Sequence, residues 1–229
     1  MKKLTHTLLA GSLTAMPVSA ITALIDFGVG DAPSPYNLVG SGSGTVPLTD
    51  TSMAVTGWSV SVVNNGSGGF GNAGAGANVS SFPALVSSFD VAALRDSIYS
   101  NQGAGGTNPA MLLTFSDLVP GSTYDLLLYG SRANGQNADQ QWTLVAGTGG
   151  AMVAHPSELN STVAVDWQGV VADDSGVISV QLDANASDNL GALALNFGSI
   201  SGAASVPEPS SGLLLGVVGL LFAGRRNRA

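Results

Sequence analysis

Residues 111–129 read MLLTFSDLVPGSTYDLLLY, and this stretch decides the fold class. Met111, Leu113 and Phe115 alternate with Leu112, Thr114 and Ser116, the period of two that marks a strand with one buried face. Val119-Pro120-Gly121-Ser122 then reads as a type II turn: Pro holds the φ of the first central position and Gly takes the positive φ of the second. The returning strand, Thr123 to Tyr129, is apolar on both faces at Leu126 to Leu128, which predicts a central place in a sheet.

The same alternation recurs in both directions from this stretch. Trp58, Val60 and Val62 share one face, with Ser59 and Ser61 on the other. Trp142 pairs with Leu144, and Val163, Val165 and Trp167 continue the pattern. Beyond the turn at Asp173-Asp174-Ser175-Gly176, Ile178, Val180 and Leu182 form another inward row, and Leu193, Leu195 and Phe197 the last. Asp90 to Tyr99 predicts a short helix, with Val91, Leu94 and Ile98 on one face, or else an irregular crossing. The Gly/Ser/Asn-rich segments 40–44, 64–78 and 100–108 read as loops. Lys and Glu, the usual wet-face residues of long helices, are nearly missing from the body, which excludes a helical bundle. Strands at about ten-residue spacing with Gly and Asn turns predict an all-β protein, a β-sandwich of roughly eight strands.

Leu118 to Leu126, followed by Tyr129-Gly130-Ser131-Arg132, is similar to a strand pair of galactose-binding-like jelly rolls. The opening Ile25-Asp26-Phe27-Gly28, the Asp174 to Ile178 turn and the closing Gly191 to Phe197 strand resemble other parts of such domains. The resemblance implies a jelly-roll sandwich of the kind often used as a carbohydrate-binding module. It does not establish sugar binding, because the fold hosts many functions.

The two ends carry addresses. Lys2 and Lys3 precede a short apolar region, Leu8 to Val18, and Val18-Ser19-Ala20 supplies the small-residue pattern for signal peptidase, with no acidic residue before Asp26. Residues 1–20 are therefore expected to be a signal peptide, with Ile21-Thr22-Ala23 a slightly later option for cleavage. At the other end, Pro207-Glu208-Pro209 is followed by the apolar run Gly212 to Gly224 and then by Arg225, Arg226 and Arg228. The prolines block helix initiation upstream, the apolar run partitions into lipid, and the arginines stay on the cytoplasmic side. A helix of that length spans only about 20 Å, which suits a transient membrane insertion.

This order of motif, apolar helix and Arg cluster resembles the PEP-CTERM sorting signal recognised by exosortase. The resemblance implies processing near Pro207 to Pro209, an inner-membrane intermediate, and delivery to the cell surface or an extracellular matrix rich in exopolysaccharide. The expected division is thus a signal peptide at 1–20, a β-sandwich domain at 21–203 and a sorting tail at 204–229.

Between the signals only Arg95 and Arg132 oppose fourteen carboxylates, a formal charge of −12. Such a surface repels nucleic acid and anionic lipid. The chain has no cysteine, so neither disulfides nor thiol chemistry operate. His155 is the single histidine of the body, expected in an exposed loop, and one His without Cys does not make a zinc site. No Gly-x-Ser-x-Gly elbow is present, and Glu158 is the single Glu outside the tail, so the residues point away from an enzyme.

Two binding chemistries remain. Asp183, Asn185 and Asp188, with Asn189 nearby and Asp173 and Asp174 in the preceding turn, are oxygen donors for a structural calcium, although the same residues are ordinary turn formers. For a sugar, Arg132, Tyr129, Trp142 and Trp167, with Asn134 and Gln136, would supply aromatic platforms and planar hydrogen-bonding groups, although a Trp on an alternating strand ordinarily lies in the core. Arg132 stands out, because it follows a strand directly into a Gly/Asn loop. The expectation is a non-catalytic, surface-delivered module contacting exopolysaccharide. A matrix protein without a defined ligand and a glycan-active enzyme are the alternatives.

Overall fold

The computed structural model describes residues 20–30, 33–66, 68–73, 81–101, 110–132, 139–156, 159–184 and 192–203. Residues 1–20, expected to form a signal peptide, and the sorting tail at 204–229 lie outside the described residues, save that Ala20 opens the first strand. In chain order the elements are β1 (Ala20–Phe27), β2 (Tyr36–Val39), β3 (Val46–Thr49), β4 (Val55–Asn64), β5 (Phe70–Ala73), α1 (Val91–Arg95), β6 (Ser97–Asn101) and β7 (Ala110–Ser116). They continue with β8 (Thr123–Tyr129), β9 (Asp139–Ala146), β10 (Val153–Pro156), β11 (Val165–Val171), β12 (Ile178–Ala184), β13 (Ala192–Leu195) and β14 (Phe197–Ala203).

Two sheets form a sandwich. One has the order β11-β8-β14-β1-β2, the other β10-β9-β12-β7-β4-β3, and a small third sheet runs β13-β6-β5. The predicted inward rows of β4, β7 and β12 hold. Trp58, Val60, Val62, Met111, Leu113, Phe115, Ile178, Val180 and Leu182 meet Ile25, Leu126, Leu128 and Ile200 from the facing sheet in one core. Trp58 and Tyr124 touch edge to face across that core, ring centroids 5.6 Å apart. Each fully buried side chain of this size contributes about 1.5–3 kcal/mol.

The turn at Val119 to Ser122 forms as read, with the Ser122 amide donating to the Val119 carbonyl at 3.1 Å and Gly121 at φ +69°. The strands it joins do not pair with each other, however. β7 pairs with β4 and β12, whereas β8 pairs with β11 and β14, so the turn carries the chain from one sheet to the other. Burying Phe115 and Leu126 in one core from opposite layers requires this crossing.

β8 is apolar on both faces for a reason that local pattern does not reveal. Residues 81–96 lie over the outer face of its sheet, where Val86 and Leu94 pack with Leu24, Tyr129 and Phe197 in a second small core. The rings of Phe89 and Phe197 lie 4.4 Å apart. The expected helix shrinks to α1, capped by Asp90, whose carboxylate accepts from the Ala92 amide at 2.8 Å. Ile98 instead belongs to β6. The expected loop at 64–78 contains β5, and the expected loop at 100–108 begins with the last two residues of β6, Ser100 and Asn101. His155, expected in a loop, lies in β10 with its backbone opposite Gln140. The closing row breaks at Asn196: β13 stays in the small sheet and β14 enters the five-stranded one.

Candidate functional site

The site begins where β8 ends. A Cβ on Gly130 would overlap the Ala194 carbonyl oxygen, so the strand leaves its sheet at a residue without a side chain. The turn that follows is held by buried amides. The Ser131 amide donates to Asn196 Oδ1 at 2.7 Å, and the Gly130 carbonyl accepts from Gln140 Nε2 at 3.3 Å and Asn160 Nδ2 at 3.1 Å. The Asn160 amide donates to Ser131 Oγ at 2.9 Å, its carbonyl accepts from the Tyr129 hydroxyl at 2.6 Å, and the Leu159 amide reaches the Arg132 carbonyl at 3.3 Å. Asn196 also donates to the Leu94 carbonyl at 3.2 Å, which ties α1 to the same point. Arg132 therefore enters from a fixed turn.

Its guanidinium meets β6. The Arg132 Cζ stands 3.8 Å from the centroid of the Tyr99 ring, and Nη1 donates to Asn101 Oδ1 at 2.7 Å. Tyr99 and Asn101 share a face of β6, and Gly71 on β5 stands opposite Tyr99. A Cβ at Gly71 would come within 3.0 Å of the Tyr99 hydroxyl oxygen, so the glycine leaves room for the ring. Arg132, Tyr99 and Asn101 are each half-buried. Partial burial lowers the Arg132 pKa from its ordinary value, and it remains a cation at neutral pH. A stacked cation beside an aromatic face and an amide is a hydrogen-bonding platform.

The three other rings proposed as platforms are placed differently. Trp142 and Tyr129 are fully buried, and Trp167 is 4% exposed. Strand alternation turns both Trp side chains into the core, and Tyr129 spends its hydroxyl on Asn160 beneath residues 81–96. These rings support the turn and the core, and Tyr99 is the half-buried ring beside Arg132. Sequence reasoning missed Tyr99 and Asn101, although Ser97, Tyr99 and Asn101 alternate with Ile98 and Ser100 as a strand does. Asn134 and Gln136 lie outside the described residues.

Of the proposed calcium donors, Asp183 is half-buried on β12 and accepts from Gln181 Nε2 at 2.9 Å. Asn185 and Asp188 lie outside the described residues, as do Asn189 and Glu158. Asp173 acts as a turn former, its carboxylate accepting from the Ser175 and Val177 amides at 2.9 Å each. Among the described residues no group of three or more His, Cys, Asp or Glu could hold a metal ion.

One unforeseen carboxyl pair lies nearby. Asp26, 3% exposed on β1, shares a side-chain hydrogen bond with Asp96, which follows α1 and accepts from the Val29 amide at 3.0 Å. Burial, then the Asp96 charge, pushes the Asp26 pKa up to about 8. Both groups are buried, without the solvent access that a glycan-cleaving pair needs.

Residues 205–229 match the PEP-CTERM protein-sorting motif. The chain carries this sorting signal. The signal indicates export through a membrane-anchored intermediate and implies exosortase processing. Its segments, including Pro207, Glu208, Pro209 and the closing arginines, lie outside the described residues; among the described residues no helix is long and apolar enough to cross a membrane. No curated protein matches the chain. Among solved structures, it is similar to the enzymatically active domain of tailspike protein 4 of bacteriophage CBA120, 12% identical over 65% of this chain and 19% of that one, TM-score 0.34. It is also similar to the CBM35 of Cellvibrio japonicus Abf62, 16% identical over 63% of this chain and 94% of that one, TM-score 0.32. A third likeness is TmCBM61 solved with β-1,4-galactotriose, 9% identical over 64% of this chain and 84% of that one, TM-score 0.30.

Proposed function

We propose that this protein is a non-catalytic module, delivered by its PEP-CTERM signal, that contacts exopolysaccharide through Arg132, Tyr99 and Asn101. The observation that carries this reading is the stack of Arg132 on Tyr99, set at the end of the sandwich opposite Ala203, where β14 ends. Ala20 pairs with Ala203 at one end of the five-stranded sheet, and Gly202 pairs with Tyr124 beside them. Six residues further along, Asp26, Phe197 and Tyr129 share the opposite end, about 20 Å away at the rise of a strand. The turn bearing Arg132 continues from Tyr129. The chain thus leaves for its tail at one end and offers its cation and ring at the other.

The guanidinium that Tyr99 supports and the amide of Asn101 are the groups a sugar's hydroxyls would meet. The test is retention of the protein on exopolysaccharide isolated from its host, followed by affinity electrophoresis. Arg132→Gln and Tyr99→Leu are expected to weaken retention by about ten- to a hundredfold, the loss of one charged hydrogen bond or stack, with the thermal midpoint unchanged. Undiminished retention by both variants would remove the site. A matrix protein acting by bulk and acidity would respond to neither substitution.

A further inference from the structure

We propose that Arg132 is a carboxylate subsite, so that the glycan this protein takes is acidic and bears uronate or another carboxyl-substituted sugar. This deepens the glycan reading above and rests on it. The guanidinium is oriented from two directions: the Tyr99 ring covers one face at 3.8 Å, and Asn101 Oδ1 holds Nη1 at 2.7 Å. Asn101 engages one of the five N–H donors of an arginine, leaving more than the two that a bidentate carboxylate requires. None of the described carboxylates forms a salt bridge with Arg132, even though the domain carries fourteen acidic groups and only two cations. The other cation, Arg95, is exposed at the end of α1.

Among the described residues, this half-buried cation has lost hydration and gained no ion pair. An arriving carboxylate supplies that pair; a sugar hydroxyl supplies a hydrogen bond but leaves the charge uncompensated. The fixed turn lowers the entropy cost of the contact, because Asn160, Gln140 and Asn196 already anchor Gly130 and Ser131, and the Leu159 amide holds the Arg132 carbonyl. The acidic body opposes an acidic polymer at long range. At physiological ionic strength, however, charges beyond about 8 Å are largely screened, while a direct guanidinium–carboxylate contact is not. Short range decides in favour of the anion at this end.

The probe is the host exopolysaccharide used in two forms, native and after carbodiimide–borohydride reduction of its carboxyls to alcohols. The full chain, solubilised from the membrane in mild detergent, is titrated against both. Native polymer is expected to bind at least about tenfold tighter than reduced polymer, the worth of one charge-assisted pair. That preference is expected to vanish in Arg132→Gln and to shrink in Arg132→Lys, which keeps the charge but loses the fork. Equal binding of both forms by the wild type would overturn the carboxylate subsite and leave the glycan reading standing. A preference that persists in Arg132→Gln would place carboxyl recognition elsewhere and also overturn it. Binding of neither form would overturn the glycan reading, and the subsite with it.

Discussion

Asp26 sits on the face of β1 that residues 81–96 cover, and its neighbour there is another carboxyl, Asp96. Burial and the like charge raise its pKa to about 8, against an ordinary value of 3.8. The folded state therefore holds a proton that the unfolded chain gives up near pH 4. The associated stability is fully present below that pH and is lost as pH rises through about 8. Urea melts are expected to show a lower midpoint at pH 9 than at pH 5, and Asp26→Asn is expected to flatten that slope. An unchanged slope in the variant would mean that other groups set the pH dependence. Trp142 makes the opposite point about a single residue. Its ring is fully buried, so Trp142→Ala is expected to cost about 3–5 kcal/mol in chemical denaturation through a cavity. Any loss of glycan retention in that variant would follow its loss of fold. The alternating strand and the ordinary core place of such a ring were both legible in the sequence, and burial bears out the core place over the platform.

At the scale of elements, the turn after β8 shows how buried amides place a functional side chain. Asn160 donates to the Gly130 and Val163 carbonyls at 3.1 and 2.7 Å and accepts from the Thr162 and Val163 amides at 3.2 and 3.0 Å. Asn160→Leu would leave several of these backbone groups without a partner. The expected outcome is a loss of about 2 kcal/mol or more in stability, together with weaker exopolysaccharide retention, because Arg132 loses its anchor. Thermal melts read alongside affinity electrophoresis would check both. Sequence reading found Arg132 here because a cation following a strand into a Gly/Asn loop is a local feature. It did not find Tyr99 and Asn101. The short run Ser97 to Asn101 is divided in that reading between the helix pattern of Asp90 to Tyr99 and the loop 100–108, and five residues are too few for periodicity to mark a strand across the two. The second core over β8 was hidden for a related reason: Phe82, Val86 and Phe89 lie in a segment without regular spacing, and only packing gives them a common face.

The whole molecule has two ends with different work. The root carries Ala20, Ala203 and the chain leading to the PEP-CTERM signal; the far end carries Arg132. In a membrane-held sorting intermediate the root is expected to be shielded and the far end open. The natural absence of cysteine allows a direct check with Thr123→Cys at the root and Thr162→Cys near the far turn, both at exposed positions. A bulky, membrane-impermeant maleimide should label Cys at position 162 much faster than at position 123 in the intermediate, and both alike after release. Equal rates in the intermediate would contradict the two-ended arrangement. What the sequence by itself determined was the all-β class, the inward rows, the turns at Val119 and Asp173 and the sorting signal. Each is local, since the side-chain period of a strand, the φ of a turn glycine and a linear address are all set within a few neighbouring residues. Tertiary structure alone decided that β7 and β8 belong to opposite sheets, that β1 pairs with β14 across the length of the domain, and that Arg132 lands on Tyr99. Those outcomes depend on register between residues far apart in the chain, which is settled by the burial of whole faces together.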